Sequence, residues 1–237
     1  MPIPEGESVA SSKAASCAAF LALAIIAAVS VPPVPTAAVG TGAVSGVVRL
    51  TAPGRRLNTT GAYPSRRVTL APQRAASELA NVIVFVRRPR PEPPAPTRTE
   101  IRQVNEEFVP HLVAVTTGST VDFPNEDLVF HNVFSLSSAA TFDLGRYPQR
   151  SSKARTFAKT GIVKVFCHLH SHMSAIVRVF DHPYFAQLGA DGRFTIEGLE
   201  PGRHDVVAWH ERVGEARASL VVAAGETTEA TFSLPLD

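Results

Sequence analysis

Two cysteines, two methionines and one tryptophan are all that 237 residues supply. So few cysteines exclude a disulfide-dense scaffold, and an apolar fraction of 45% excludes a disordered chain. Charge is sparse and nearly balanced, with 23 basic and 21 acidic side chains. No glycine-rich phosphate loop, paired nucleophile and base, or carboxylate dyad stands out. No apolar pattern of period 3.6 is long enough for a substantial helix.

Only one long apolar run is present. It extends from Ala14 to Val31, follows Lys13 and stops at Pro32 and Pro33. Small residues at Thr36, Ala37 and Ala38 then offer a cleavage site before Val39. Residues 1–38 have the shape of a signal peptide, so the chain is expected to be exported, in a bacterium to the periplasm. A run of this length also just spans a bilayer, and a membrane enters the reading only if the segment stays as an anchor. Cleavage would leave one cysteine, Cys167, and one methionine, Met173. No disulfide could then form within the chain, and a lone exported thiol calls for a reason.

Charge divides the remainder. Residues 39–102 hold 11 Arg and three Glu, residues 103–181 hold seven of each sign, and residues 182–237 hold four Arg and nine acids. This suggests a basic strand-and-loop segment over 39–80, a central domain over 81–181 and a small C-terminal module over 182–237. The arginines lie in loops without interleaved aromatics, so no nucleic-acid partner is expected.

Short β-branched runs separated by turn residues make the fold all-β. They include Ser45–Leu50, Asn81–Arg87, His111–Thr116, Thr120–Phe123, Gly161–Cys167 and Ser174–Phe180. Turns at Ala190-Asp191-Gly192, Pro201-Gly202 and Ala224-Gly225 space four or five more strands as a small antiparallel sandwich. SGVVRL near the front is a candidate missing strand of that module. Trp209 is expected to pack inside it, or else to dock onto the central domain.

The chemistry concentrates in Val165–Met173, VFCHLHSHM. Cys167, His170 and Met173 form a C-x2-H-x2-M loop between two strand-like runs, and His131 stands upstream in VDFPNEDLVFHNVFS. Thiolate and imidazole bind copper strongly in both oxidation states, and a thioether completes the set weakly. Val163, Val165 and Cys167 share one strand face, which turns the sulfur inward. A dinuclear thiolate-bridged centre needs a second cysteine, and Phe166 stands where a trinuclear cluster would want histidine. Zinc held by Cys167, His168, His170 and His172 is the competing metal reading. His168 and His172 otherwise read as solvent-facing loop residues and His111 as a strand-edge residue, each with a metal role as the alternative.

These motifs resemble the cupredoxins, the blue copper proteins of plastocyanin and azurin type. The resemblance rests on FVPHLVAVTTGSTVDFPNEDLVFHNVFS, FDLG and GIVKVFCHLHSHMSAIVRV. DGRFTIEGLEPGRHDVVAW similarly resembles the carboxypeptidase-regulatory-like, transthyretin-like modules. Together the chain looks like bacterial exported methylamine-utilisation or plastocyanin-like proteins. The resemblance implies a Greek-key sandwich with one copper ion at a pole, held by His131, Cys167, His170 and Met173. Asn132 would brace the cysteine loop, and the His170 edge would be the electron port. The expected function is one-electron transfer, not enzymatic turnover, with a cytochrome or dehydrogenase as partner. The alternatives are a periplasmic copper carrier and a structural envelope module.

Overall fold

The computed structural model describes residues 40–51, 78–87, 89 and 95–235. The expected signal segment, residues 52–77 of the basic segment and residues 88 and 90–94 lie outside them. Among the described residues no helix is long and apolar enough to cross a membrane.

The expected all-β fold is what the structure shows. In chain order the strands are β1 (Gly42–Thr51), β2 (Val82–Arg87), β3 (Arg98–Glu100), β4 (Arg102–Val104), β5 (Glu107–Val109), β6 (Leu112–Thr116), β7 (Thr120–Pro124), β8 (His131–Ser137) and β9 (Ala140–Tyr147). There follow β10 (Ser152–Thr156), β11 (Gly161–Phe166), β12 (Ser174–Phe180), β13 (Phe185–Gln187), β14 (Arg193–Leu199), β15 (Gly202–His210), β16 (Gly214–Val222) and β17 (Thr227–Pro235).

Four sheets stack around three apolar seams. The first sandwich pairs β6-β12-β11-β8-β9 with β10-β7-β3, and β4-β5 forms a small ribbon beside it. Its core joins Val121 and Phe123 of β7 to Val163, Val165, Val177 and Val179 across the gap, with Cys167 and Met173 in the same cluster. The second sandwich pairs β13-β2-β15-β16 with β14-β1-β17. Its core joins Val44, Val82, Val84, Val206, Ile196 and Phe232.

The third seam welds the two sandwiches. It holds Ile83, Phe85, Leu112, Ile176, Phe180 and Val207. Strand alternation explains how one strand can serve two seams. On β12, Ala175, Val177 and Val179 face the first core, while Ile176 and Phe180 face the second sandwich. On β2, Val82, Val84 and Val86 face one way and Ile83 and Phe85 the other. Strands buried on both faces lose the apolar-polar alternation of a half-buried strand.

This placement regroups two segments. Sequence reading assigned residues 82–87 to the central domain, but β2 pairs with β15 and β13, inside the second sandwich. Five buried residues in a row fit a strand with a layer on each side. Strand β1 pairs antiparallel with β14 and parallel with β17, so SGVVRL lies in the C-terminal module's sheet. Trp209 packs on the seam between the sandwiches.

Candidate metal centre

His131 opens β8, directly after the loop Asn125–Phe130. Buried Asn125 shapes that loop: its side-chain oxygen accepts from the Asp127 N–H at 2.9 Å, and its amide donates to the Val129 carbonyl at 2.9 Å. The first contact is an Asx turn, a local bond that Asn favours. Cys167 ends the inward row Val163, Val165, Cys167, all buried in the first core. The chain then turns through 168–173, where the Met173 N–H donates to the His170 carbonyl at 3.0 Å.

Three of the four expected ligands converge by their donor atoms. His131 Nδ1 lies 3.1 Å from His170 Nδ1, and Cys167 Sγ lies 4.0 Å and 3.9 Å from those two nitrogens. Such a triangle suits an ion about 2.0–2.3 Å from each donor. These residues form the only cluster of three or more His, Cys, Asp or Glu among the described residues with donor atoms close enough to hold a metal ion. His131 and Met173 are fully buried and Cys167 nearly so. Met173 lies in the same core cluster as Cys167.

A second row of partners fixes the rings. His131 Nε2 donates to Asp127 Oδ2 at 2.8 Å. An ionised carboxylate only accepts, so the ring proton sits on Nε2 and the Nδ1 lone pair faces the centre. Asp127 also accepts the backbone N–H groups of Asn105 at 2.6 Å and Glu106 at 2.8 Å. Burial works against its charge, but the bonds from Glu106, His131 and Asn105 outweigh burial, and its pKa falls below the usual value. Asn132 accepts the His168 N–H at 3.1 Å and donates to Asp143 at 2.6 Å, so it braces the cysteine loop.

The remaining histidines lie outside the triangle. His168 stacks flat on Phe134, with ring centroids 3.7 Å apart. His111 is engaged at both nitrogens, by the Ser174 carbonyl at 2.9 Å and Glu211 at 2.6 Å, and so ties the first sandwich to the second. His172 lies at the rim, 3.7 Å from Glu106, which is also 3.9 Å from His170 Nε2. The zinc set of Cys167, His168, His170 and His172 is not brought together.

Sequence reading missed Asp127 and Glu106. The four-residue step from Asp127 to His131 and the N-x-D turn were the available signals. It also missed Leu128, Val129 and Phe130 before His131, and Leu169 before His170, all exposed.

Fold and site together define an all-β protein with a buried two-histidine, one-cysteine candidate metal centre. No family model and no curated protein matches the chain. Partial likeness is found to solved copper proteins. A copper-containing nitrite reductase from Thermus scotoductus SA-01 is 24% identical over 38% of this chain, with a TM-score of 0.34, and the match spans 23% of the reductase. A purple cupredoxin from Nitrosopumilus maritimus is 20% identical over 35% of this chain and 99% of its own, with a TM-score of 0.32. An amicyanin variant in its Cu(I) form is 17% identical over 41% of this chain and 98% of its own, with a TM-score of 0.34.

Proposed function

We propose that the chain is a cupredoxin-like copper protein that carries one electron through a site made by His131, Cys167, His170 and Met173. The observation that supports this reading is the convergence of His131 Nδ1, His170 Nδ1 and Cys167 Sγ. One soft sulfur and two imidazoles form a donor set that suits copper in both oxidation states. Bound copper supplies the one-electron couple.

The chain's own residues do the rest. Asp127 holds the His131 ring so that only Nδ1 can ligate, and Asn132 holds the loop that carries Cys167. Such outer partners orient ligands before the ion arrives, so little rearrangement accompanies a change of charge. Val163, Val165 and Phe123 belong to the same buried apolar cluster as Cys167 and Met173. His170 is the partly exposed ligand, and the exposed apolar side chains before the two histidines, Leu128, Val129 and Phe130 before His131 and Leu169 before His170, suit a protein redox partner, here a cytochrome or dehydrogenase. On this reading the protein is exported and is a carrier, not an enzyme.

The test is a visible spectrum of protein loaded with one Cu(II). An intense blue or purple band that Cys167→Ser abolishes, with copper kept through reduction and reoxidation, is the expected result. A colourless complex overturns it. His172 and Glu106 at the rim favour one second reading, a copper carrier that hands its ion on. Loss of the ion on reduction would select that reading.

A further inference from the structure

Arg178 occupies a position that strand alternation reserves for an apolar side chain. It lies between Ile176 and Phe180 on the face of β12 that packs against the second sandwich. Its guanidinium carbon lies 5.3 Å from the Phe85 ring centre, 5.4 Å from Phe180 and 5.2 Å from Trp209. Three aromatic rings stabilise the cation, yet they accept none of its five N–H bonds. Among the described residues no oxygen accepts a hydrogen bond from Arg178, and no carboxylate lies at ion-pair distance.

The nearest charge partners are already committed. Both carboxylate oxygens of Glu215 receive Arg87 at 2.9 Å, and Arg217 also donates to Glu215. Two guanidiniums therefore already share this one carboxylate. Arg87 Nε is buried and unpartnered. Burial and the neighbouring Arg87 pull the Arg178 pKa down, and Glu215 only partly holds it up. The Arg178 nitrogens, unlike Arg87 Nε, are open to solvent, so an incoming acceptor can reach them.

The site is open to one. A cleft of about 370 Å³ between the sandwiches is lined by Arg87, Thr160, Arg178, His182, Trp209 and Glu215, together with Phe85 and Phe180. That volume is at the small end of the range for ligand sites. We propose that this cleft binds a small carboxylate-bearing molecule, its carboxylate on the Arg178 guanidinium and its apolar body against Phe85, Phe180 and Trp209. The planar fork of arginine matches a carboxylate through two parallel hydrogen bonds. With Arg87 and Arg217 on Glu215, Arg178 is the guanidinium left for a ligand, and one such cation beside Asp181 matches a singly charged carboxylate better than a doubly charged phosphate. The site is formed by β2, β12, β15 and β16 and does not depend on the metal centre's identity.

Trp209, the only tryptophan in the chain, reports on this cleft. The experiment titrates metal-free full-length protein with sodium butyrate, sodium phosphate and sodium chloride at matched ionic strength and follows Trp209 emission. Butyrate is expected to give a saturable change that chloride does not, with phosphate weaker. Arg178→Gln is expected to weaken butyrate binding about tenfold or more, the loss of a charge-assisted pair. Arg178→Lys, which keeps the charge but loses the fork, is expected to fall between. Circular dichroism checks that both variants fold, and if they do not, the wild-type titration decides alone. Equal responses to butyrate and chloride overturn the proposal, as does tighter binding of phosphate or a butyrate response unchanged in folded Arg178→Gln.

Discussion

Asp127 Oδ2 lies 2.8 Å from His131 Nε2, on the side of the ring opposite the atom that faces Cys167. This single bond sets both the tautomer and the tilt of a fully buried imidazole. Asp127→Ala should therefore leave all ligands in place and still lower Cu(II) affinity by about 10–100-fold, the usual effect of losing such a partner. A competitive chelator titration measures it. Unchanged affinity would show that packing alone orients His131.

Met173 is buried beside the cysteine loop and tied to it through the His170 carbonyl. Met173→Leu keeps the volume and removes the sulfur. Copper should stay bound and coloured, and the reduction potential should rise, because a weak thioether donor that would favour Cu(II) is gone. Protein-film voltammetry of the loaded variant gives the answer. Complete loss of copper would mean that the thioether is needed for affinity.

Gly46 sits on β1 where the backbone of β17 comes closest. A Cβ placed on Gly46 would stand 1.7 Å from the Ala230 carbonyl oxygen. The clash is with backbone, so no side chain can swing aside. Gly46→Ala should destabilise the protein by about 3 kcal/mol or more, at the upper end for overpacking. Urea unfolding of both proteins tests this, and a loss under 1 kcal/mol, the scale of a mere change in strand propensity, would contradict it.

Two buried histidines make the fold sensitive to acid. Burial is the largest influence on His182 and His210, and both have pKa values below the ordinary one despite nearby Asp181 and Glu78. In the unfolded chain they return to about 6.5. The unfolded state therefore binds more protons as pH falls below that point, and folding stability drops with it. Their contribution is fully present above about pH 6.5 and is lost as pH falls through their lower folded values. The urea midpoint should fall between pH 7.5 and pH 5, and less steeply in His210→Gln. An identical slope in that variant would remove His210 from the account.

The strands with clear signals were legible because they are short, β-branched and bounded by turn residues. Ser174–Phe180 read from sequence coincides with β12, and His111–Thr116 overlaps β6 almost fully. The convergence of His131, Cys167 and His170 was legible for a different reason, since the one Cys and one Met beyond residue 38 stand three residues either side of His170. The edge strand β10 was missed because SKART is exposed along its whole length and has no apolar period to read. The first half of β16 offers no apolar run to read because Glu215 and Arg217 interrupt it, and the two pair with each other along the strand. The partner of β2 was illegible too. A run of five apolar residues announces burial on both faces but does not name the sheet.

The union of β1 with β17 has a consequence for the order in which this chain can mature. Strands β3 to β12, which build the first sandwich, are contiguous and can condense while the polymer is still emerging. The second sandwich needs β1 and β2 from the front and β13 to β17 from the rear, so its earliest pieces must wait, unpaired, for the last. Closing so long a chain loop is slow, and uncovered strand edges invite aggregation meanwhile. A holdase that shields residues 42–51 and 82–87 during synthesis would speed maturation more than one acting on any segment of the first sandwich.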